Sequence, residues 1–244
     1  MNIKKVVKKY IKGFLRSLGL RVSFVNKGEL SEEKKIEWLK NIDFKTIIDV
    51  GASKGNFSLQ FHKIFPSAQI YAFEPLAGCS EVIQKKMEGA RGFKLFNIAL
   101  SDFKGQSKFF RSSYSGASSL IKMASLQKEL FPVTAGETVE NIQVDTMDNI
   151  FNDINLAGPI LIKLDVQGTE DKVIVGGREI FSKVKAVITE TSFRRLYEGQ
   201  PLFSDINRQL EALGFRYVGI WGEGDFRSPV DGQPLQQDSI FIRE

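Results

Sequence analysis

From residue 44 onward, short apolar runs alternate with segments of helical periodicity, and this alternation constrains the fold more than any other feature. It predicts a parallel sheet with helices on both faces. Runs such as "ILIKL" at 160–164 show no polar alternation, as expected of strands buried on both sides. The predicted strands cover 46–50, 69–73, 93–99, 107–111, 160–164, 184–189, 215–221 and 239–243. The predicted helices of this region cover 57–65, 77–87, 145–152, 169–175 and 203–213.

Two regions depart from the alternation. No helix separates the last two predicted strands, so the final strand is expected to run antiparallel to its neighbour. Residues 112–141 contain Ser and Gly and few periodic apolar positions, which predicts a long, partly irregular insertion. We therefore predict one α/β domain over residues 44–244 and a helical appendage over 1–43.

The net charge of +5 is concentrated at one end of the chain. Residues 1–28 contain eight Lys or Arg and no Asp or Glu, which leaves 26 basic against 29 acidic residues in the remainder. Apolar residues recur at helical spacing over 3–18, which predicts an amphipathic helix, and a second helix is predicted over 31–41. The first helix could contact an anionic membrane through residues 1–21, or dock on its own domain or a second subunit. The acidic body argues against a nucleic-acid partner.

A single cysteine and a single histidine limit the chemistry. Cys79 has no partner for an internal disulfide, and the chain lacks the residues for a Cys- or His-rich metal site, so we predict no metal; a Mg²⁺ site built from carboxylates alone is the alternative. A reducing compartment, the cytoplasm, is expected, with peripheral contact at the inner face of the membrane if the basic helix binds there. Acid–base work would fall to Asp, Glu, Lys or Tyr.

The turn after the first strand, in "IIDVGASKGNFS" (47–58), has the form of a nucleotide-binding loop. Gly51 permits a tight turn, and Gly55 permits close approach of the following helix and a ligand. The second strand ends at Glu74 and Pro75, where a carboxylate can accept hydrogen bonds from both hydroxyls of a ribose. Because both strands end at the same edge of the sheet, they predict a nucleoside-containing cofactor.

The loop lacks the G-x-G-x-x-G pattern of dinucleotide sites. An acid, Asp49, precedes it, and a carboxylate there repels a pyrophosphate but can pair with an ammonium group. S-adenosylmethionine is therefore favoured over NAD. A nicotinamide-dependent oxidoreductase and a non-catalytic, membrane-associated partner domain are the alternatives.

Three carboxylates follow two later strands, namely Asp165, Glu170 and Glu190. They could line one pocket and supply a general base, or some of them could be helix caps or salt-bridge partners. Ala99 and Ser101, after the third strand, could frame an adenine ring.

The segments "IIDVGASKGNFS", "YAFEP", "NIALSD", "SSL", "VDTMDN", "IKLDVQGTE", "TETSFRRLYEGQP" and "QDSIFIR" follow one another between residues 44 and 243. In this order they resemble the FkbM-type S-adenosylmethionine-dependent methyltransferases. The resemblance implies the class I, Rossmann-like fold, with a seven-stranded, mostly parallel sheet and an inserted antiparallel last strand. It also implies O-methylation of a hydroxyl on a small-molecule or glycan acceptor, a sugar or a secondary metabolite, as in polysaccharide biosynthesis.

The resemblance also assigns roles to residues. The candidate cofactor residues are Asp49, Gly51, Ala52, Ser53, Gly55, Asn56, Phe57, Glu74, Pro75, Asn97, Ala99, Ser101 and Asp165. The candidate acceptor residues are Ser118, Ser119, Gln167 and Tyr197, and the candidate catalytic residues are Asp165, Glu170 and Glu190. Many relatives have Glu at the position of Gln167, and an amide cannot serve as a base.

Overall fold

A computed structural model describes the backbone of residues 37–244 and the side chains of 38–222 and 226–244. The strands are β1 (Thr46–Val50), β2 (Gln69–Phe73), β3 (Phe93–Phe96), β4 (Ala99–Leu100), β5 (Gly105–Ser112), β6 (Glu137–Asp145), β7 (Ile160–Leu164), β8 (Ala186–Ser192), β9 (Phe215–Arg227) and β10 (Pro234–Arg243). The helices are α1 (Glu37–Lys40), α2 (Asn56–Ile64), α3 (Ala77–Lys86), α4 (Ser125–Leu130), α5 (Met147–Phe151), α6 (Glu170–Gly176), α7 (Arg178–Phe181) and α8 (Phe203–Ala212).

Seven strands form the main sheet in the order β3-β2-β1-β7-β8-β10-β9. The first five are parallel, and β10 runs antiparallel to both β8 and β9. β1 and β7 are buried at every position, because helices cover both faces of the sheet. The predicted seven-stranded, mostly parallel sheet with an inserted antiparallel last strand is confirmed.

A second sheet of three strands, in the order β4-β6-β5, corrects two predictions. The strand predicted over 93–99 is too long, because its first part is β3, which ends at Phe96, whereas Ala99 belongs to β4, which pairs with β6. The break falls at Asn97, whose side-chain amide donates to the carbonyl oxygens of Glu74 and Pro75. The irregular insertion predicted over 112–141 is wrong in its last part, which begins β6.

The sequence pattern does not predict β6, because much of this strand faces solvent. Its first five residues are exposed or half-buried, and they include charged side chains that strand propensity disfavours. The strand is held by pairing along its length with β5, from Gly105 opposite Val144 to Ser112 opposite Glu137. A tertiary contact therefore decides this element.

The predicted helix over 3–18, its proposed membrane contact through 1–21, and most of the helix predicted over 31–41 lie outside the described residues. The boundary between residues 43 and 44 accordingly stays a prediction. Within residues 37–244, no helix is both long and apolar enough to cross a membrane.

Candidate active site

The carboxyl ends of β1, β2, β7 and β8 open into a cavity of about 470 Å³, beside a recess of about 280 Å³. Of the predicted site residues, the cavity is lined by Gly51, Ser53, Glu74, Pro75, Ala99, Ser118, Asp165, Gln167 and Glu190. The recess is lined by Asp49, Gly51, Ala52, Ser53, Asn56, Phe57 and Asp165. Gly55, Asn97, Ser101, Ser119, Glu170 and Tyr197 line neither space. The structure thus brings most of the predicted residues to one cleft.

Gly51 lies where the loop after β1 packs closely against the loop after β7. Its φ is 79°, and a Cβ atom built there would lie 1.9 Å from the carbonyl oxygen of Asp165. A side chain at this position would push the β1 and β7 loops apart. Gly55 has a different neighbour, since a Cβ there would lie 3.2 Å from the Ile83 side chain of α3.

Glu74 is a buried carboxylate that faces the cavity from the end of β2. Its Oε2 accepts a hydrogen bond from the Ser53 backbone N–H and its Oε1 from that of Leu76, each at 2.9 Å. Burial raises the pKa of Glu74 to about 7, against the effect of these hydrogen bonds. Each oxygen has a further lone pair, so the carboxylate can also accept hydrogen bonds from two ligand hydroxyls.

Asp49 lies beneath the recess with no exposed surface. Its Oδ2 accepts a hydrogen bond of 2.6 Å from the Ser58 hydroxyl, whereas its Oδ1 is buried without a hydrogen-bond partner. Burial raises the pKa of Asp49, and Lys163 opposes that shift. An orphaned carboxylate oxygen suits a cationic group such as the ammonium of an amino acid.

These groups fit S-adenosylmethionine. Glu74 would hold the ribose hydroxyls, and the Asp49 side of the recess would take the ammonium end of the methionine part. The apolar residues available for the adenine ring are Leu76, Ile98, Ala99 and Leu100. Asn97 and Ser101 do not line this space, since the Asn97 amide donates to the β2 turn and the Ser101 hydroxyl donates to Asp102.

Gln167 links the two carboxylates at the centre of the cavity. Its Nε2 donates to Asp165 Oδ1 at 2.7 Å and to Glu190 Oε2 at 2.9 Å. The Gln167 φ of 58° turns the loop so that the side chain reaches both groups. Burial, and then the neighbouring carboxylates, raise the pKa of Glu190 well above its ordinary value. The amide at 167 thus separates two acids that would otherwise repel each other.

Lys163 completes this network and was missed as a site residue. Its ammonium lies 2.8 Å from Asp165 Oδ2 and is almost completely buried in β7. Burial alone would lower the pKa of Lys163, but the carboxylates of Asp165, Asp49 and Asp238 together raise it. The sequence feature that could have identified Lys163 as a site residue is the presence of a lysine inside the apolar run "ILIKL". Among the side chains described, no three or more His, Cys, Asp or Glu are grouped to hold a metal ion.

Three predicted site residues instead hold the β7 loop in place. The Glu170 carboxylate accepts hydrogen bonds from the Val166 and Gly168 backbone N–H groups. The Ser119 hydroxyl donates to the Gln167 carbonyl oxygen at 2.7 Å. The Tyr197 hydroxyl lies 2.8 Å from Gln167 Oε1. Their contacts are those of positioning residues. The acceptor contacts predicted for Ser119 and Tyr197, and the catalytic role predicted for Glu170, stay predictions.

The buried Glu170 predicts a pH dependence of stability. Burial raises the pKa of Glu170 from 4.5 to about 7, so between these values the folded state binds more protons than the unfolded state. The stabilising contribution is therefore complete below the unfolded pKa and is lost as pH rises through 7. The contribution of Glu170 to the free energy of unfolding should thus be larger at pH 5 than at pH 8 by up to roughly 3 kcal/mol. Urea unfolding at the two pH values should show that Glu170→Gln lacks this difference. The exposed Glu81→Gln serves as the control, and equal differences in both variants would contradict the prediction.

The cavity lining also includes residues that the sequence did not single out. They are Tyr114, Leu120, Gln127, Phe131, Val133, Phe226 and Gln236. Gln127 is buried on α4, and its Oε1 has no hydrogen-bond partner. Gln236 Nε2 donates to Glu190 Oε1 at 2.5 Å. Most of these residues belong to the segment between β5 and β6 or to the last hairpin, where only folding decides which side chains meet the site.

Comparison with known proteins identifies the type of domain. The family model described as "Methyltransferase FkbM domain" matches residues 49–217. The chain is 29% identical over 160 residues to the 2-O-methyltransferase NoeI of Sinorhizobium fredii, a match covering 63% of this chain and 66% of NoeI. It is 27% identical over 193 residues to the methyltransferase sdnD of Sordaria araneosa, covering 69% of this chain and 73% of sdnD. A precorrin-6y C5,15-methyltransferase from Geobacter metallireducens has 10% identity and a TM-score of 0.44, with 90% of this chain and 91% of that chain covered.

Proposed function

This chain belongs to the FkbM-domain methyltransferases, and from that premise we propose that it transfers a methyl group from S-adenosylmethionine to a hydroxyl oxygen of a sugar, glycan or secondary metabolite. The observation that carries the proposal is the pair of carboxylates in the cavity lining, Asp165 and Glu190, which are bridged by Gln167. A carboxylate there can accept the proton of a hydroxyl. The name of NoeI, a 2-O-methyltransferase, supports oxygen as the atom methylated.

When bound, S-adenosylmethionine supplies an electrophilic methyl group on a cationic sulfonium. The protein then has to align the acceptor oxygen and exclude water. In our proposal Glu190 accepts the hydroxyl proton, since its carboxylate faces the cavity and its raised pKa suits a base. Lys163 keeps Asp165 paired, so Asp165 contributes a fixed negative charge and a hydrogen-bond acceptor. Gln167, which cannot take a proton, sets the spacing of the two acids.

The family match sets the nicotinamide-dependent alternative aside. Cytoplasmic location and membrane contact through residues 1–21 remain part of the proposal, as does the division at residue 43. A vesicle co-sedimentation assay of the full chain with anionic and neutral lipid would test the membrane contact.

The proposed reaction is tested with S-adenosylmethionine carrying a deuterated methyl group and a panel of glycosides and hydroxylated metabolites. We expect a product one labelled methyl group heavier, and fragmentation that places the methyl on oxygen. Labelling on nitrogen or carbon would contradict O-methylation. Tight binding of S-adenosylhomocysteine without turnover on any compound of the panel would favour the non-catalytic alternative.

A further inference from the structure

The outer wall of the cavity exposes apolar side chains to solvent. Tyr114 is 58% exposed, Val133 74% and Phe226 47%, and all three line the same cavity. Single exposed apolar residues are ordinary on protein surfaces, but a contiguous group beside a binding cavity usually marks a contact surface. These three side chains, together with Phe131, form what we call the apolar wall.

Two residues of the apolar wall, Phe131 and Phe226, pack against other side chains. The Phe131 and Phe226 rings lie with their centroids 5.0 Å apart and their planes tilted by 30°. Phe131 follows α4 and packs against a buried cluster that contains Met123, Tyr197 and Leu235. The Phe131 and Phe226 part of the wall is therefore connected to the Gln167 loop, because Tyr197 also contacts Gln167. A ligand would meet a preformed apolar surface.

Beside the apolar wall, the same cavity has a polar lining. Asp165, Glu190 and Gln236 belong to it, and Gln236 pairs with Phe226 between β10 and β9. A small, fully hydroxylated acceptor would satisfy this polar lining and leave the wall in contact with water. An amphipathic acceptor would satisfy both, since its hydroxyl would reach Glu190 and its apolar part would cover the wall.

We propose that the acceptor carries an apolar substituent, an alkyl or acyl chain, beside the hydroxyl that is methylated, and that the apolar wall binds this substituent. The inference rests on the proposed function and narrows its acceptor. It assigns an acceptor-binding role to Val133 and Phe226.

Matched glycosides test the inference before the natural acceptor is known. Binding of n-octyl β-D-glucopyranoside, kept below its micelle concentration, is compared with that of methyl β-D-glucopyranoside by calorimetry on the full chain saturated with S-adenosylhomocysteine. Partial burial of the longer chain should favour the octyl glycoside by about 10-fold or more. The double variant Val133→Ser/Phe226→Ser should abolish most of this preference. Val230→Ser is the control, because Val230 is 82% exposed and lies outside the cavity lining.

Equal binding of the two glycosides, or binding of neither, would overturn the inference. A preference that persists in the double variant would also overturn it, because the chain would then bind elsewhere. These results are distinct from failure of the proposed function, which would appear in the unmodified protein as absence of S-adenosylhomocysteine binding or as absence of methyl transfer to oxygen in the labelling screen. Retained S-adenosylhomocysteine affinity in the double variant shows that the cofactor side of the cleft remains folded.

Discussion

Glu190→Gln should lower the rate of methyl transfer by about 100-fold or more, the usual contribution of a general base. The amide is nearly isosteric and can keep a contact with Gln167 or Gln236, but it cannot accept a proton. The unmodified enzyme should become faster as pH rises through the pKa of Glu190, because only the ionised carboxylate is a base. The variant should lose that rise. Rates are measured across pH on the acceptor found by the labelling screen.

The other two acids provide the comparison. Glu170→Gln should lower turnover much less than Glu190→Gln does, because Glu170 lines neither the cavity nor the recess and the amide keeps one oxygen for the backbone N–H groups of the β7 loop. Asp165→Asn is a less selective probe, since it leaves the buried Lys163 ammonium without its closest carboxylate and should reduce stability by roughly 3 kcal/mol. Full activity in Glu190→Gln, with S-adenosylhomocysteine binding unchanged, would remove Glu190 as the base.

Glu74→Ala should weaken S-adenosylhomocysteine binding by about 100-fold or more. The substitution removes the acceptors for two ribose hydroxyls, and it also removes the two bonds from the Ser53 and Leu76 backbone N–H groups that shape the cofactor loop. Hydrogen bonds to a charged group contribute about 1.5–3 kcal/mol each, so losing two accounts for the expected change. Isothermal titration calorimetry with S-adenosylhomocysteine measures it directly.

Glu74→Gln separates the two causes. It keeps the side-chain volume and one acceptor oxygen, so its affinity should fall between those of the alanine variant and the unmodified protein. Glu81→Ala, on the exposed face of α3, should bind as the unmodified protein does. Unchanged affinity in Glu74→Ala, in a variant that unfolds at a normal temperature, would contradict the ribose assignment.

Several strands of the main sheet could be predicted from the sequence, whereas β6 of the second sheet could not. β1, β7, most of β2 and the first half of β8 are buried apolar runs, so their existence could be predicted from local pattern. β6 could not, because its outer face is polar and its partner β5 is supplied only by folding. Distant pairing also explains why the strand predicted over 93–99 is too long, since Ala99 pairs with Val144 of β6 rather than continuing β3.

The sequence by itself determined the family, the parallel sheet and the cleft edge, because parallel strands place their carboxyl ends, and hence Gly51, Glu74 and Asp165, at one side of the sheet. Only the tertiary structure decided how the acids differ. Glu170 is turned onto backbone N–H groups, whereas Glu190 faces the cavity beside Gln167. Burial and the direction of a side chain depend on loops packed from distant parts of the chain, and local sequence pattern carries little information about such contacts.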